Sequence, residues 1–444
     1  MKPGEDSPRG LDDHLFRRES GRMVAALTRI FGVHNLALAE DVVQDAFVRA
    51  LEVWRLRGVP ENPAAWLMTA AKNRALDVLR RERTARTFAP EMGRLLDTEW
   101  TLSPAVNEAF AVHAIRDEQL RMMFSCCHPR LSQDAQIALV LNILCGFGAA
   151  EIAAAFLTGR AAMEKRISRG KKVLAASKRL FDLADAEFAP RLATVQRSLY
   201  LLFNEGYHGS TELTVRTDLC AEAIRLVTLL REYSAADTPG TRALSALMHL
   251  HAARLATRVD ADGELSRLSE QDRARWDQRL IDQGLMLLEQ SAAGPELTPY
   301  HVEAAIAAEH VRAPNVAATD WGVIVSLYDR LMELEPSPVV ALNRAVAVGE
   351  RDGPDAGIAA LDAIGDRERL ADYPFYYATL AELELRRLRL DTAHTHFAAA
   401  LALARNEAER RFLERRMRDC LDQIDRGSPV IDRDGPISPT SSEA

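Results

Sequence analysis

No run of about eighteen consecutive apolar residues occurs in this 444-residue sequence, so no segment reads as a membrane-spanning helix. The opening residues MKPGEDSPRGLDDH also lack the apolar stretch of a secretory signal, and a cytoplasmic location with no membrane partner is expected. Cysteine is scarce. Cys126, Cys127, Cys145, Cys220 and Cys420 are odd in number and scattered, which fits reduced thiols better than a disulfide framework. Only Cys126, Cys127 and His128 stand close enough to raise a metal site. Adjacent cysteines lack the spacer of a zinc knuckle and no second Cys/His pair follows, so no metal is expected.

Catalytic patterns are missing as well. The sequence holds no HExxH, no phosphate-cradling glycine loop and no Ser/His/Asp arrangement. Tyr207, His208, Asp218, His249, His251, Asp260, Asp262 and Trp276 are the polar and aromatic residues that invite an enzymatic reading. A lone histidine on a helix is far more often a packing or surface residue than a catalyst, so no enzyme and no cofactor are expected. The acids of RVDADGELSRLSEQDR do not place Gly263 and Glu270 where a calcium loop needs them, and the segment reads as a turn.

What remains is a helical protein. Hydrophobic residues make up 48% and charged residues 27%, a globular balance, and apolar positions recur every three to four residues without any sustained alternation. The class is all-α. The length exceeds one ordinary core, so two or three domains are expected. Breaks fall at Gly58–Pro63, at about Phe88–Pro104, near Asp182–Pro190, and in the Pro/Ser-rich tail from Gly427 to Ala444, which reads as disordered. A net charge of −8 argues against uniform coating of nucleic acid, so the local distribution of charge decides.

In the front module, AEDVVQDAFVRALEVW sets Val43, Phe47, Ala50 and Trp54 on one stripe and Asp41, Asp45 and Glu52 on another. The acidic stripe fits docking to a basic partner or a solvated surface equally well. Asn62 and Pro63 then open a helix as cap and first turn. At about 100° per residue, Leu67, Ala71, Ala75, Val78 and Leu79 form its buried side. Trp66, Thr69, Asn73, Arg74, Asp77, Arg80 and Arg81 gather opposite. An indole among guanidiniums and an amide is what unpaired nucleotides require: cations follow the phosphates and the ring stacks a base, for roughly 1–3 kcal/mol each.

The second module repeats the logic for duplex DNA. Ser132 caps LSQDAQIALVLNILCGF, Gly146 stops it, AAEIAAAF is a short helix, LTGR turns, and AAMEKRISRGKKVL follows. A short helix, a tight turn and a basic helix form a helix-turn-helix. Met163, Ile167, Gly170 and Leu174 should pack inward, with Ala161, Lys165, Arg166, Arg169 and Lys172 facing a groove. From Arg160 to Arg179 eight residues are basic and only Glu164 is acidic, a concentration that an acidic chain does not produce by accident.

The C-terminal half reads as helical pairs. Tyr377, Leu380, Ala381, Ala393, Phe397 and Ala400 fit a tetratricopeptide unit; Ala341 to Ala363 fits less well, and residues 191–300 show no period. Stacked pairs form concave surfaces that suit a protein or peptide partner.

AEDVVQDAFVRALEVW, NPAAWLMTAAKNRALDVLRRER and the helix-turn-helix at Leu131–Leu174 resemble the extracytoplasmic-function sigma factors of RNA polymerase. RSLYLLFNEGYHGS, DLCAEAIRLVTLL, DADGELSRLSEQDRARWDQRLIDQGL and PSPVVALNRAVAVGERDGPDAG resemble the subgroup with a long tetratricopeptide-like extension. The resemblance implies sigma domain 2 at 11–87, a linker at 88–111, sigma domain 4 at 112–181, a helical-repeat domain at 190–426 and a tail at 427–444. It implies that Asp41, Gln44, Asp45, Phe47 and Trp54 bind the β′ clamp helices of polymerase core. It implies that Trp66, Lys72, Asn73, Arg74, Asp77, Arg80, Arg81 and Arg83 read and melt the −10 element of promoter DNA. Arg160, Ala161, Lys165, Arg166, Arg169, Lys171 and Lys172 would read the −35 element, with the second module meeting the β flap. The alternative is a helix-turn-helix regulator that senses a ligand or peptide; a scaffold without DNA binding is opposed by both basic clusters.

Overall fold

The computed structural model describes residues 8–85, 112–156, 158–176, 189–208, 215–260, 265–404 and 406–427. The expected linker at 88–111 and the tail beyond residue 427 lie outside them. Apart from an isolated bridge between Val259 and Leu265, the described residues contain no β structure, as the absence of alternating patterns predicts. They fall into two compact units, Met1–Thr257 with Asp272–Val311, and Arg258–Gln271 with Arg312–Ala444. The first unit therefore runs across residue 190, where the sequence places a domain boundary.

The first unit begins with α1 (Pro8–Phe31), α2 (Leu36–Arg57) and α3 (Pro63–Ala85). It continues through α4 (Val112–Cys126), α5 (Gln133–Ile143), α6 (Ala149–Ala155) and α7 (Arg160–Ala175). Then come α8 (Ala189–His208), α9 (Thr217–Glu232), α10 (Pro239–Ala252), α11 (Gln278–Ser291) and α12 (Pro299–Arg312). One core joins them, from Met23, Leu27 and Phe31 of α1 through Phe124 and Leu139 to Leu199, Phe203, Leu226 and Leu247. The front helices and the α5–α7 segment thus share apolar packing with α8, α9 and α10.

Close approach makes this possible at two glycines. A Cβ built on Gly21 of α1 would lie 2.0 Å from the backbone oxygen of Leu144, just past α5. Only a residue without a side chain lets these backbones meet. Gly170 of α7 faces Leu139 of α5, where a Cβ would lie 2.8 Å from a leucine methyl. Polar ties cross the same seam. Arg29 of α1 pairs with the fully buried Glu118 of α4, Lys171 of α7 with Glu40 of α2 at 2.6 Å, and Arg216 with Glu151 of α6 at 3.2 Å. Arg191 of α8 donates to the Phe124 carbonyl at 3.0 Å.

The second unit contains α13 (Trp321–Leu334), α14 (Pro338–Asp352), α15 (Pro354–Asp362), α16 (Pro374–Arg386), α17 (Leu390–Ala402) and α18 (Glu407–Gly427). Neighbours pair as helical hairpins. Ala381, Ala393, Phe397 and Ala400 are buried where α16 and α17 cross, as their spacing predicts, and Tyr377 and Leu380 pack partly against the core. The α14/α15 pair fits the alanine pattern poorly because its crossing uses glycines instead. A Cβ on Gly357 would sit 3.0 Å from the Gly349 Cα.

Gly21→Ala forces a methyl against a backbone oxygen and is expected to cost about 1–3 kcal/mol. Gly170→Ala meets a leucine methyl that can shift, and costs less. Thermal melts of the two variants check this, and equal losses would contradict it. Burial lowers the pKa of His249, and the His310 pKa falls to about 4 through burial and then through Arg254 and Arg273. A lowered folded-state value stabilises above the unfolded pKa of about 6.5. Stability should therefore fall on acidification from about pH 6.5 toward 4, and His310→Asn should flatten that slope.

Candidate nucleic-acid interface

Three faces of the first unit carry the residues singled out by sequence. On α2, Val43, Ala50 and Trp54 are buried and Phe47 is half-buried, while Asp41, Gln44, Asp45 and Glu52 are exposed. Trp54 is only 6% exposed, so it supports the acidic face from beneath rather than standing on it. Sequence reasoning missed what shares that face: Val48 and Leu51, 55% and 47% exposed. At about 100° per residue Val48 falls beside Asp41, and Leu51 beside Gln44. Exposed aliphatic residues among acids mark a surface suited to a partner better than either alone. An interruption of the outer polar stripe at positions 48 and 51 was the available signal.

The adjoining face belongs to α3. The Asn62 side-chain oxygen accepts from the Ala65 N–H at 3.0 Å, closing the first turn as the Asn-Pro pair predicts. Leu67, Ala71, Ala75 and Leu79 are buried, and Val78, at the margin of the stripe, is half-buried. Trp66 is half-buried. Its ring meets Trp54 edge-on with centroids 5.5 Å apart, so one indole anchors the other while part of Trp66 stays in solvent. Thr69, Asn73, Asp77, Arg80 and Arg81 are exposed along the same side. Lys72 is half-buried. Arg74 is engaged by Asp45 across α2 and α3, with its Nε 2.8 Å and its Nη2 2.7 Å from one carboxylate oxygen. The side chain of Arg83 lies outside the described residues.

The third face is on α7. Its buried stripe is Met163, Ile167, Gly170 and Leu174, as the sequence predicts. Ser132 occupies the cap position of α5, although its hydroxyl accepts no bond from the helix. Ala161, Lys165, Arg169 and Lys172 are exposed together, with Ser168 beside them. Arg160 is exposed and bonded to Glu164 at 2.8 Å. Arg166 does not stand on the far side as the sequence reading had it. It is half-buried and pairs with Asp134 at 3.5 Å, because its projection falls about 60° from Met163. Lys171 flanks the core on the other side and reaches Glu40.

The five cysteines are buried. Burial raises the Cys126 thiol well above its usual value and pushes Cys127 up to about 12. Among the described residues no three His, Cys, Asp or Glu side chains converge as metal ligands, and no helix is long and apolar enough to cross a membrane.

The sigma-70 region 2 family matches residues 15–85, which contain the first two faces, and a family of unknown function (DUF6596) matches residues 191–292. The chain is similar to RNA polymerase sigma factor CarQ of Myxococcus xanthus, 32% identical over 177 residues that make up 39% of this chain and 92% of that protein. It is also similar to an uncharacterized protein of Rhizobium meliloti (strain 1021), R00370, 41% identical over 395 residues, 88% of this chain and 91% of the relative. The chain belongs to the RNA polymerase sigma factors and carries a C-terminal extension.

Support and surface can be separated by denaturation. Trp54→Ala empties a buried site and is expected to cost about 3–5 kcal/mol, whereas Asp45→Ala breaks an exposed pair worth less than about 1 kcal/mol. Urea titrations that rank them the other way would contradict this placement.

Proposed function

We propose that the chain binds RNA polymerase core through α2, captures the −10 element of a promoter on α3, and reads the −35 element with α7. The carrying observation is Trp66, anchored edge-on to Trp54 and still partly in solvent beside Asn73, Asp77, Arg80 and Arg81. A stacking ring flanked by guanidiniums and an amide binds nucleotides that have left the duplex. Asp41, Gln44 and Asp45, with Val48 among them and Leu51 beside Gln44, supply an acidic and apolar surface for the β′ clamp helices; Phe47 and Trp54 hold it in shape. The Arg74–Asp45 pair couples the docking helix to the strand-capturing helix. On α7 the small Ala161 and Ala162 permit close approach to the major groove, and Lys165, Arg169 and Lys172 reach phosphates or guanine edges.

The extension controls this activity in cis. Elements named for positions −10 and −35 lie roughly 25 base pairs apart, on the order of 80 Å along B-DNA at about 3.4 Å per pair. Modules that share one core, with Lys171 of α7 held by Glu40 of α2, do not span that distance. They separate when the promoter is engaged. Helices α8 and α9 of the extension pack against α4 and α5 and favour the closed arrangement.

Combined Trp66→Ala and Arg80→Ala substitution is expected to leave core binding intact and abolish open-complex formation, read by permanganate footprinting. Normal promoter opening would defeat the assignment. Arg29→Gln withdraws the cation from Glu118 outside all three faces. Each 1 kcal/mol lost from the closed form shifts the equilibrium about five-fold, so runoff transcription at limiting protein should rise several-fold. Unchanged or lower transcription with intact core binding would contradict control by closure.

A further inference from the structure

Away from the three faces, α8, α10, the segment leading into α11, and α12 bring Tyr207, His251, Arg254, Arg273, Trp276 and His310 together. Arg254 donates from Nη2 to the Tyr207 hydroxyl. Its guanidinium carbon lies 6.0 Å from the Tyr207 ring centroid and 5.8 Å from that of Trp276. Arg273 approaches the same indole at 4.8 Å and donates from Nη1 to the His310 carbonyl. Trp276 is fixed by its own Nε1, which donates to the Thr257 hydroxyl at 3.0 Å. The Tyr207 ring packs on His251 with centroids 5.0 Å apart.

Two guanidiniums sharing one buried indole repel each other in a setting that screens poorly. Arg254 has no carboxylate partner among the described residues; it is bonded to a phenol, and its Nε is buried without an acceptor. The positive field is felt by its neighbours. Arg273 is lowered by burial and then by Arg254, and His310 is held neutral by burial with both arginines adding to the effect. Arg254, Arg273, His251 and His310 are all half-buried.

We propose that this cluster is a binding site for a small oxyanion, a phosphate or carboxylate group, gripped by Arg254 and Arg273 over the Trp276 shelf. An oxyanion meets each unmet demand: it accepts from the orphan Nε, it cancels the repulsion, and guanidinium forks match its geometry with charge-assisted bonds. The site stands independently of the promoter-binding reading, because none of its residues lies on α2, α3 or α7.

The test titrates the full chain with inorganic phosphate and, separately, with succinate, in chloride-matched buffer. Thermal midpoint and tryptophan fluorescence report binding. The wild type should show a saturable rise with one of the two probes, which identifies the anion class. Arg254→Gln and Arg273→Gln should each weaken the response by about ten-fold or more, the loss expected for a hydrogen bond to a charged group. In anion-free buffer Arg254→Gln should melt no lower than wild type, since it relieves repulsion and keeps a donor for Tyr207. A purely structural cation–π stack would instead melt lower. No saturable response to either probe, an unchanged response in both variants, or a lower anion-free midpoint for Arg254→Gln would overturn the proposal.

Discussion

The arrangement of the first unit depends on a backbone contact between α1 and the end of α5, where Gly21 leaves room for the Leu144 carbonyl. Helix α1 also packs against α2, α3 and α4. It is therefore an element through which the front helices and the α5–α7 segment share apolar packing. A contact set by the absence of a side chain has little slack, since any added atom must displace backbone. The buried Glu118 adds an electrostatic tie of the same kind, because separating it from Arg29 strands a charge in the interior.

Charge on the three faces follows a common rule. Several basic side chains of α3 and α7 already hold an acid of this chain: Arg74 holds Asp45, Arg160 holds Glu164, Arg166 holds Asp134 and Lys171 holds Glu40. Exposed or partly exposed pairs of this kind are weak, about 1 kcal/mol or less. Exchanging such carboxylates for phosphates is therefore inexpensive, and an acidic chain can present basic surfaces without binding nucleic acid indiscriminately. Two of the acids held by α7 come from neighbouring helices, Glu40 from α2 and Asp134 from α5.

Much of this was legible from period and punctuation. The all-α class, the Asn62–Pro63 helix start and the buried stripes of α3 and α7 follow from helical geometry and capping chemistry. So does the exposure of Asn73, Arg80, Arg81, Lys165 and Arg169. Tertiary partners were not legible. Nothing local to Lys171 announces Glu40, and a glycine in the middle of α1 reads as a weak helix position until Leu144 is placed against it. Arg166 was misplaced because a residue about 60° from the buried stripe sits at its shoulder, where an acid on a neighbouring helix decides which way it turns. The run across residue 190 was hidden for a similar reason: nothing local to α8 and α9 announces that they pack against α4 and α5.

We propose that the core shared by α1–α3 and α5–α7 holds them together in the free chain and that promoter engagement parts them. Nitroxide labels at Arg57→Cys in α2 and Ala176→Cys after α7, both exposed positions, test it by pulsed dipolar spectroscopy, with the buried native thiols left unlabelled. The free protein should show a narrow, short distance distribution that lengthens by tens of ångströms, on the order of the promoter spacing, in the complex with polymerase core and promoter. A free chain already populating the long distance, or a complex that keeps the short one, would contradict the account.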